Sequence, residues 1–196
     1  MLIGEQKEIY NEWEFIFNNQ KNIEPISMVN LPRQLSHSSI FGENVRINYN
    51  NYIEDFYATS KNYNIPILLN DHSMLFFNYI FDSNGMIVEH HLTYYPCPNE
   101  EKALEDTLSK IIRVDYEEVG FVENIHSLTH LHNGKFSAYR FTVENIVFPL
   151  EFLSFILLTN YNYKFDTINS KLKTDHRLTL KNEEKGYFSL RILKDS

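Results

Sequence analysis

One cysteine, six glycines and no apolar run long enough for a bilayer set the first boundaries on this 196-residue chain. Cys97 alone forms no internal disulfide and no cysteine-based zinc finger. The glycines, at 4, 42, 85, 120, 134 and 186, are too scattered for a phosphate-cradling loop, so no nucleotide cofactor is expected. The longest greasy stretch, VFPLEFLSFILL, is interrupted by Glu151 and Ser154. It falls short of the roughly 20 apolar residues of a membrane helix. Basic charge is also scarce: 18 Lys and Arg against 26 Asp and Glu leave a net charge of −8. Proteins that coat a phosphate backbone are usually basic, because counterion release drives that binding. A global nucleic-acid footprint is therefore absent, although a local basic pocket is allowed. An acidic surface suits a basic protein partner or plain solubility. The opening MLIGEQKEIY lacks the basic-then-apolar layout of a secretion signal. The expectation is a cytoplasmic protein in a reducing compartment, without membrane attachment.

What is plentiful is aromatic: 15 Phe and 13 Tyr. They rise together with Asn, Ile and Lys, as AT-rich coding dictates, and no aromatic platform follows from the count. Hydrophobic residues make up 43%, enough for one substantial core, so residues 1–196 are read as a single domain.

Ile9, Trp13, Ile16 and Phe17 predict an amphipathic helix over 5–18, and Val45, Tyr49, Tyr52, Ile53 and Phe56 a second over 43–59. The stretch 22–39, with two prolines, reads as a loop. Residues 74–81 and 86–95 predict a hairpin, with Asn84-Gly85 supplying the positive φ angles of a tight turn. Pro96 and Pro98 end the second strand. Asn99 reads as a helix cap, with Glu100 and Glu101 in the first turn and Leu104 and Leu108 on one face. Strands are predicted over 110–116 and 136–143, with a histidine loop between them. Pro149 opens a buried helix. Leu178 and Leu180, then Phe188, Leu190 and Ile192, alternate as a second hairpin. Strands and helices come in blocks, so the class is α+β: a mainly antiparallel sheet with helices packed on one face.

No His-Glu-x-x-His is present, and Glu100-x-Lys102 and Glu183-x-Lys185 read as chance echoes of a nuclease site. The candidate chemistry lies elsewhere. Arg113 and Asp115 are two apart on a strand and leave the same face, while Ile112, Val114 and Tyr116 take the other. His130 and His132 share that spacing, roughly 7 Å apart if extended. His126 precedes them and Arg140 follows on the next strand. Two chemistries fit. In metal-independent phosphodiester cleavage, one imidazole takes a proton from a 2′-hydroxyl and another protonates the leaving oxygen, while Arg113 or Arg140 stabilises the developing charge. Alternatively His126, His130, His132 and Asp115 supply nitrogen and oxygen ligands for zinc or manganese. The bland alternatives are a cross-sheet salt bridge at Arg113 and Asp115, and histidines that with Ser127 and Thr129 satisfy a structured loop. Of His90-His91, adjacent on a strand, at most one can join the site. His90, on a face with Val88 and Leu92, is expected to be buried. His37, His72 and His176 carry no pattern.

The segments IIRVDYE, HSLTHLH, the strand with Arg140, and FPLEFLSFILLTNY together resemble an uncharacterised bacterial family. Its pattern is Arg-x-Asp-[Tyr/Phe], a loop, His-Pro-x-[Ser/Thr]-His-x-His, an Arg-bearing strand and a helix ending in aromatic-Tyr. The likeness spans residues 75–163 and departs at Ser127, where the pattern has proline. It implies a phage-defence or toxin-antitoxin-like role, with a protein partner encoded nearby. More weakly, the chain is similar to small toxins that cut RNA. By position the residues at stake are Arg113, Asp115, His126, His130, His132 and Arg140. The leading expectation is a His/Arg site acting on RNA. The runner-up is a non-catalytic acidic adaptor or inhibitory subunit of a larger effector, and a third reading is a metal-binding regulator.

Overall fold

The computed structural model describes residues 4–31, 34–36, 39–40, 45–99, 101, 103–117, 129–134, 140–143 and 146–163, with the backbone alone at 34–36, 39–40 and 140–142. The expected C-terminal hairpin, Glu100-x-Lys102 and Glu183-x-Lys185 lie wholly or partly outside them, as do His37, His126, Ser127 and His176.

The helices are α1 (Gly4–Asn19), α2 (Tyr52–Asn62), α3 (Leu104–Leu108) and α4 (Pro149–Tyr161). The strands are β1 (Ile26–Val29), β2 (Gln34–Ser36), β3 (Ser39–Ile40), β4 (Ile67–Leu69), β5 (Met74–Phe81), β6 (Ile87–Tyr95), β7 (Ile112–Glu117), β8 (Thr129–Asn133) and β9 (Arg140–Val143). All pair antiparallel in the order β1-β4-β5-β6-β7-β8-β9, with β3 on the rest of the β5 edge and β2 beside it. The fold is α+β, as the block pattern predicts. No helix among the described residues is long and apolar enough to cross a membrane.

The odd positions of β5 (Leu75, Phe77, Tyr79, Phe81) face the main core, with Leu92, Tyr94, Ile112, Val114, Tyr116 and Leu131. Helices α1 and α4 cover this face. Phe77 is the hinge of that contact: Trp13 meets it edge-on at 5.0 Å and Phe152 at 5.6 Å. Such aromatic pairs add to the area they bury. Glu12, buried on α1, accepts a hydrogen bond from the Leu150 amide at 3.0 Å, and Glu151 accepts from Phe148 at 2.9 Å. Both carboxylates thus serve orphan amides at the positive end of α4. On the opposite face Met74, Phe76 and Tyr95 pack with Val45, Ile47, Tyr52, Phe56, Leu108 and Ile111, forming a smaller core at one end of the sheet.

Several local expectations change. The stretch 22–39 contains β1, β2 and the first residue of β3; β1 survives Pro25 because the proline precedes its first ladder position. Helix α2 begins at Tyr52, after a one-turn 3-10 helix at Tyr49–Asn51, because Val45 and Ile47 are extended into the smaller core. Helix α3 starts after Ala103; Asn99 instead accepts the Glu101 amide at 2.8 Å in a local turn. In the hairpin only Gly85 has positive φ (75°). Asp82 organises that turn by accepting from the amides of Asn84 (2.9 Å) and Met86 (2.8 Å). The pairing slips between Ile80 opposite Glu89 and Phe81 opposite Ile87, so Val88 is an extra, bulged residue. Ile87, rather than Val88, therefore shares the core face with His90 and Leu92.

Candidate functional site

Strand alternation sends side chains to two faces, and register decides which of them meet. On the face away from the main core, one cross-strand row runs Asn78, His91, Asp115, His130, Thr142. The next row runs Phe76, Thr93, Arg113, His132, Arg140. The Arg-Asp pair and the His pair predicted from their spacing are thus direct neighbours on adjacent interior strands.

Asp115 is the centre. Its Oδ1 lies 2.8 Å from His91 Nδ1, and the other ring nitrogen of His91 lies 2.6 Å from Glu89 Oε1. Its Oδ2 accepts from Arg113 Nε at 2.7 Å and stands 3.4 Å from His132 Nε2 and 3.8 Å from His130 Nε2. The two imidazoles of His130 and His132 touch edge to face, centroids 4.9 Å apart. Asp115, His130 and His132 are 6%, 5% and 4% exposed. Neither ring nitrogen of His132 meets hydrogen-bond geometry with a partner among the described residues, although its Nε2 stands 3.4 Å from Asp115 Oδ2. Asn78 Oδ1 is also buried without a partner among the described residues.

Burial by itself raises the Asp115 pKa, but the adjoining His132, His91 and Arg113 outweigh it and hold the carboxyl well below its usual range. Burial pulls His91 down, yet its bonds to Asp115 and Glu89 win and raise it. Asp115, His130 and His132 also offer ligand atoms that all lie within 4.8 Å of one another, a group able to hold a metal ion.

Over residues 11–192, nearly the whole chain, the sequence matches the profile of a conserved family. The chain belongs to the uncharacterized conserved protein family DUF2290. No curated protein and no solved structure matches it. The expected membership of an uncharacterised family therefore stands, and the family itself supplies no activity.

In this DUF2290 member the backbone of Arg140 sits opposite His132 on β9. His126 belongs to the undescribed stretch between β7 and β8. Part of the expected histidine loop is strand β8, which gives His130 and His132 their common face. His90 is buried as expected, on the opposite face, between Tyr79 and Tyr116 (both 5.6 Å). Its Nε2 accepts from the Val147 amide at 3.2 Å, and burial lowers its pKa to about 3. His72 occupies an exposed turn with φ 67°, outside the site. Sequence reasoning missed Glu89 and Asn78; of His90 and His91 it allowed at most one into the site and expected His90 to be buried, without linking His91 to Asp115. The alternation of 89, 91 and 93 was visible, but the pairing of β6 with β7 that puts His91 on Asp115 was not.

Proposed function

We propose that this chain cleaves RNA at the Asp115–His130–His132–Arg113 centre, as a component of a phage-defence or toxin-antitoxin-like system. The observation that carries the reading is Arg113. Its Nε is bound to Asp115, its side chain is one-quarter exposed, and its terminal nitrogens make no hydrogen bond to the described residues. A guanidinium held by one edge presents the other to a phosphate. Beside it, His132 offers an imidazole whose ring nitrogens have no hydrogen-bond partner among the described residues, a side chain of the kind that general acid–base catalysis uses.

In the reaction, the 2′-hydroxyl oxygen loses its proton to the centre and bonds to phosphorus. The bond from phosphorus to the 5′-oxygen breaks, and that oxygen is protonated from water. Arg113 bears the charge on the non-bridging oxygens. The products are a 2′,3′-cyclic phosphate and a 5′-hydroxyl. His130 and His132 are in contact, leaving no room for a phosphorus between them, so they act from one side. The defence setting rests on the likeness of Arg-x-Asp and His-x-His to the family pattern that implies it.

The test is purified chain with end-labelled RNA and DNA of the same sequence. RNA cut to cyclic-phosphate ends, DNA intact, and at least a hundredfold loss in a folded His132→Asn variant are expected. Intact RNA beside well-folded protein would overturn the reading. The net charge of −8 would then favour the acidic adaptor of a basic effector.

A further inference from the structure

The polar centre has a feature that acid–base chemistry does not require: three ligand-type atoms converge on one point inside the protein. We infer that Asp115 Oδ2, His130 Nε2 and His132 Nε2 bind one divalent transition-metal ion, zinc in preference to manganese. Two imidazoles with one carboxylate suit that class, whereas calcium and magnesium favour all-oxygen sets. Zinc exceeds manganese in the general affinity order for such ligands.

The geometry agrees. Zinc bonds of about 2.0–2.1 Å in a tetrahedral site put ligand atoms about 3.4 Å apart. Here the carboxylate oxygen is 3.4 Å from one imidazole nitrogen and 3.8 Å from the other, and each of the three residues offers a ligand atom within 4.8 Å of those of the other two. Small rotations close the set. Asp115 and His130 are cross-strand partners and His132 lies on the diagonal, so interior strands β7 and β8 fix the spacing.

The surroundings match those of a metal ligand. His91 holds Oδ1 and Arg113 holds Oδ2, with Glu89 gripping the far side of His91. Outer partners of this kind orient a ligating carboxylate. A second observation concerns hydrogen bonding rather than distance. His132 is 4% exposed, its Nε2 is turned toward Asp115, and neither ring nitrogen has a hydrogen-bond partner among the described residues. In a plain salt-bridge network that imidazole would aim an N–H at the carboxylate. A metal ion satisfies the nitrogen in the position it occupies. Three protein ligands leave coordination places for water or substrate beside Arg113. That catalytic use rests on the RNA-cleaving reading; the binding does not.

The test uses full-length protein dialysed against chelator and titrated with zinc chloride by calorimetry. One equivalent binds, and Asp115→Asn, His130→Asn and His132→Asn each weaken binding at least a hundredfold. His91→Asn weakens it about ten- to hundredfold, while His72→Asn changes nothing. Cobalt(II) on the wild type gives visible bands of nitrogen–oxygen ligation. Zinc at a hundredfold excess over its Kd lowers the unfolding equilibrium constant about a hundredfold.

Absence of saturable binding would overturn the site, as would undiminished binding in a folded His130→Asn/His132→Asn double variant. Should that variant not fold, the wild-type ring-nitrogen resonances of His130 and His132 decide: they shift on zinc addition, and unshifted signals overturn the proposal. Binding with RNA left intact keeps the metal site and ends the RNA reading. RNA cut in excess chelator, with no saturable zinc binding in the titration, keeps the RNA reading and ends the metal site.

Discussion

His91 and Asp115 face each other across β6 and β7 and are joined Nδ1 to Oδ1 at 2.8 Å, while Glu89 holds the opposite ring nitrogen of His91 at 2.6 Å. One imidazole therefore ties two carboxylates of neighbouring strands. Asparagine at 91 is too short to reach both. His91→Asn is expected to lose about 1–2 kcal/mol in urea unfolding at pH 6, from hydrogen bonds to charged groups that are only partly buried.

The same pair fixes the alkaline side of the stability profile. The folded His91 pKa is raised above the ordinary 6.5. Its stabilising contribution is fully present below pH 6.5 and is lost as pH rises through the folded value. Urea midpoints of the wild type should fall on that limb, and those of His91→Asn should not.

His90 governs the acid side with the opposite sign. Its folded pKa is lowered to about 3, so between pH 6.5 and 3 the unfolded chain binds the proton and the folded chain does not. Stability falls as pH drops, by up to tenfold in the folding equilibrium constant per pH unit. His90→Gln is expected to flatten this limb while keeping an acceptor for the Val147 amide. A slope unchanged between pH 6 and 4.5 would refute the assignment.

Gly134 follows β8 with φ 67°, and its amide donates to Ile111 at 2.7 Å. A Cβ there would stand 3.2 Å from Ser109 Cα and 3.3 Å from Ser109 O. Gly134→Ala is expected to lose about 1–3 kcal/mol, the left-handed conformation and the backbone contact together. Thermal unfolding measures it.

Glu12 joins α1 to the start of α4. Glu12→Ala leaves the buried Leu150 amide without this acceptor and should lose about 1–3 kcal/mol. Hydrogen exchange of the Leu150 amide, expected to accelerate, separates this local loss from general weakening.

Where one element's own periodicity carried the information, the sequence was readable. The stripe Ile9, Trp13, Ile16 marks α1, and Pro149 opens α4 where expected. Alternation placed Arg113 with Asp115 and His130 with His132. What alternation cannot state is which strand lies alongside and in what register, and that long-range fact alone brings His91 to Asp115. Strands β1 to β3 are too short to show a period. The cap at Asn99 failed because its side chain satisfies a turn one residue pair away, a use equally natural to asparagine. The bulge at Val88 changed parity within a strand that otherwise read correctly.

That bulge makes the β5–β6 hairpin a vernier. Deleting Val88 would restore simple pairing, with Ile87 still opposite Phe81 and Glu89 still opposite Ile80, so the tip would straighten without moving His91 along its strand. The spare residue absorbs changes in length at the turn before they are transmitted to the polar row. The hairpin end, where the Gln6 amide donates to Gly85 O and the Ile87 amide to Glu5 Oε2 on α1, and the rows that hold Asp115 and the histidines can therefore vary independently.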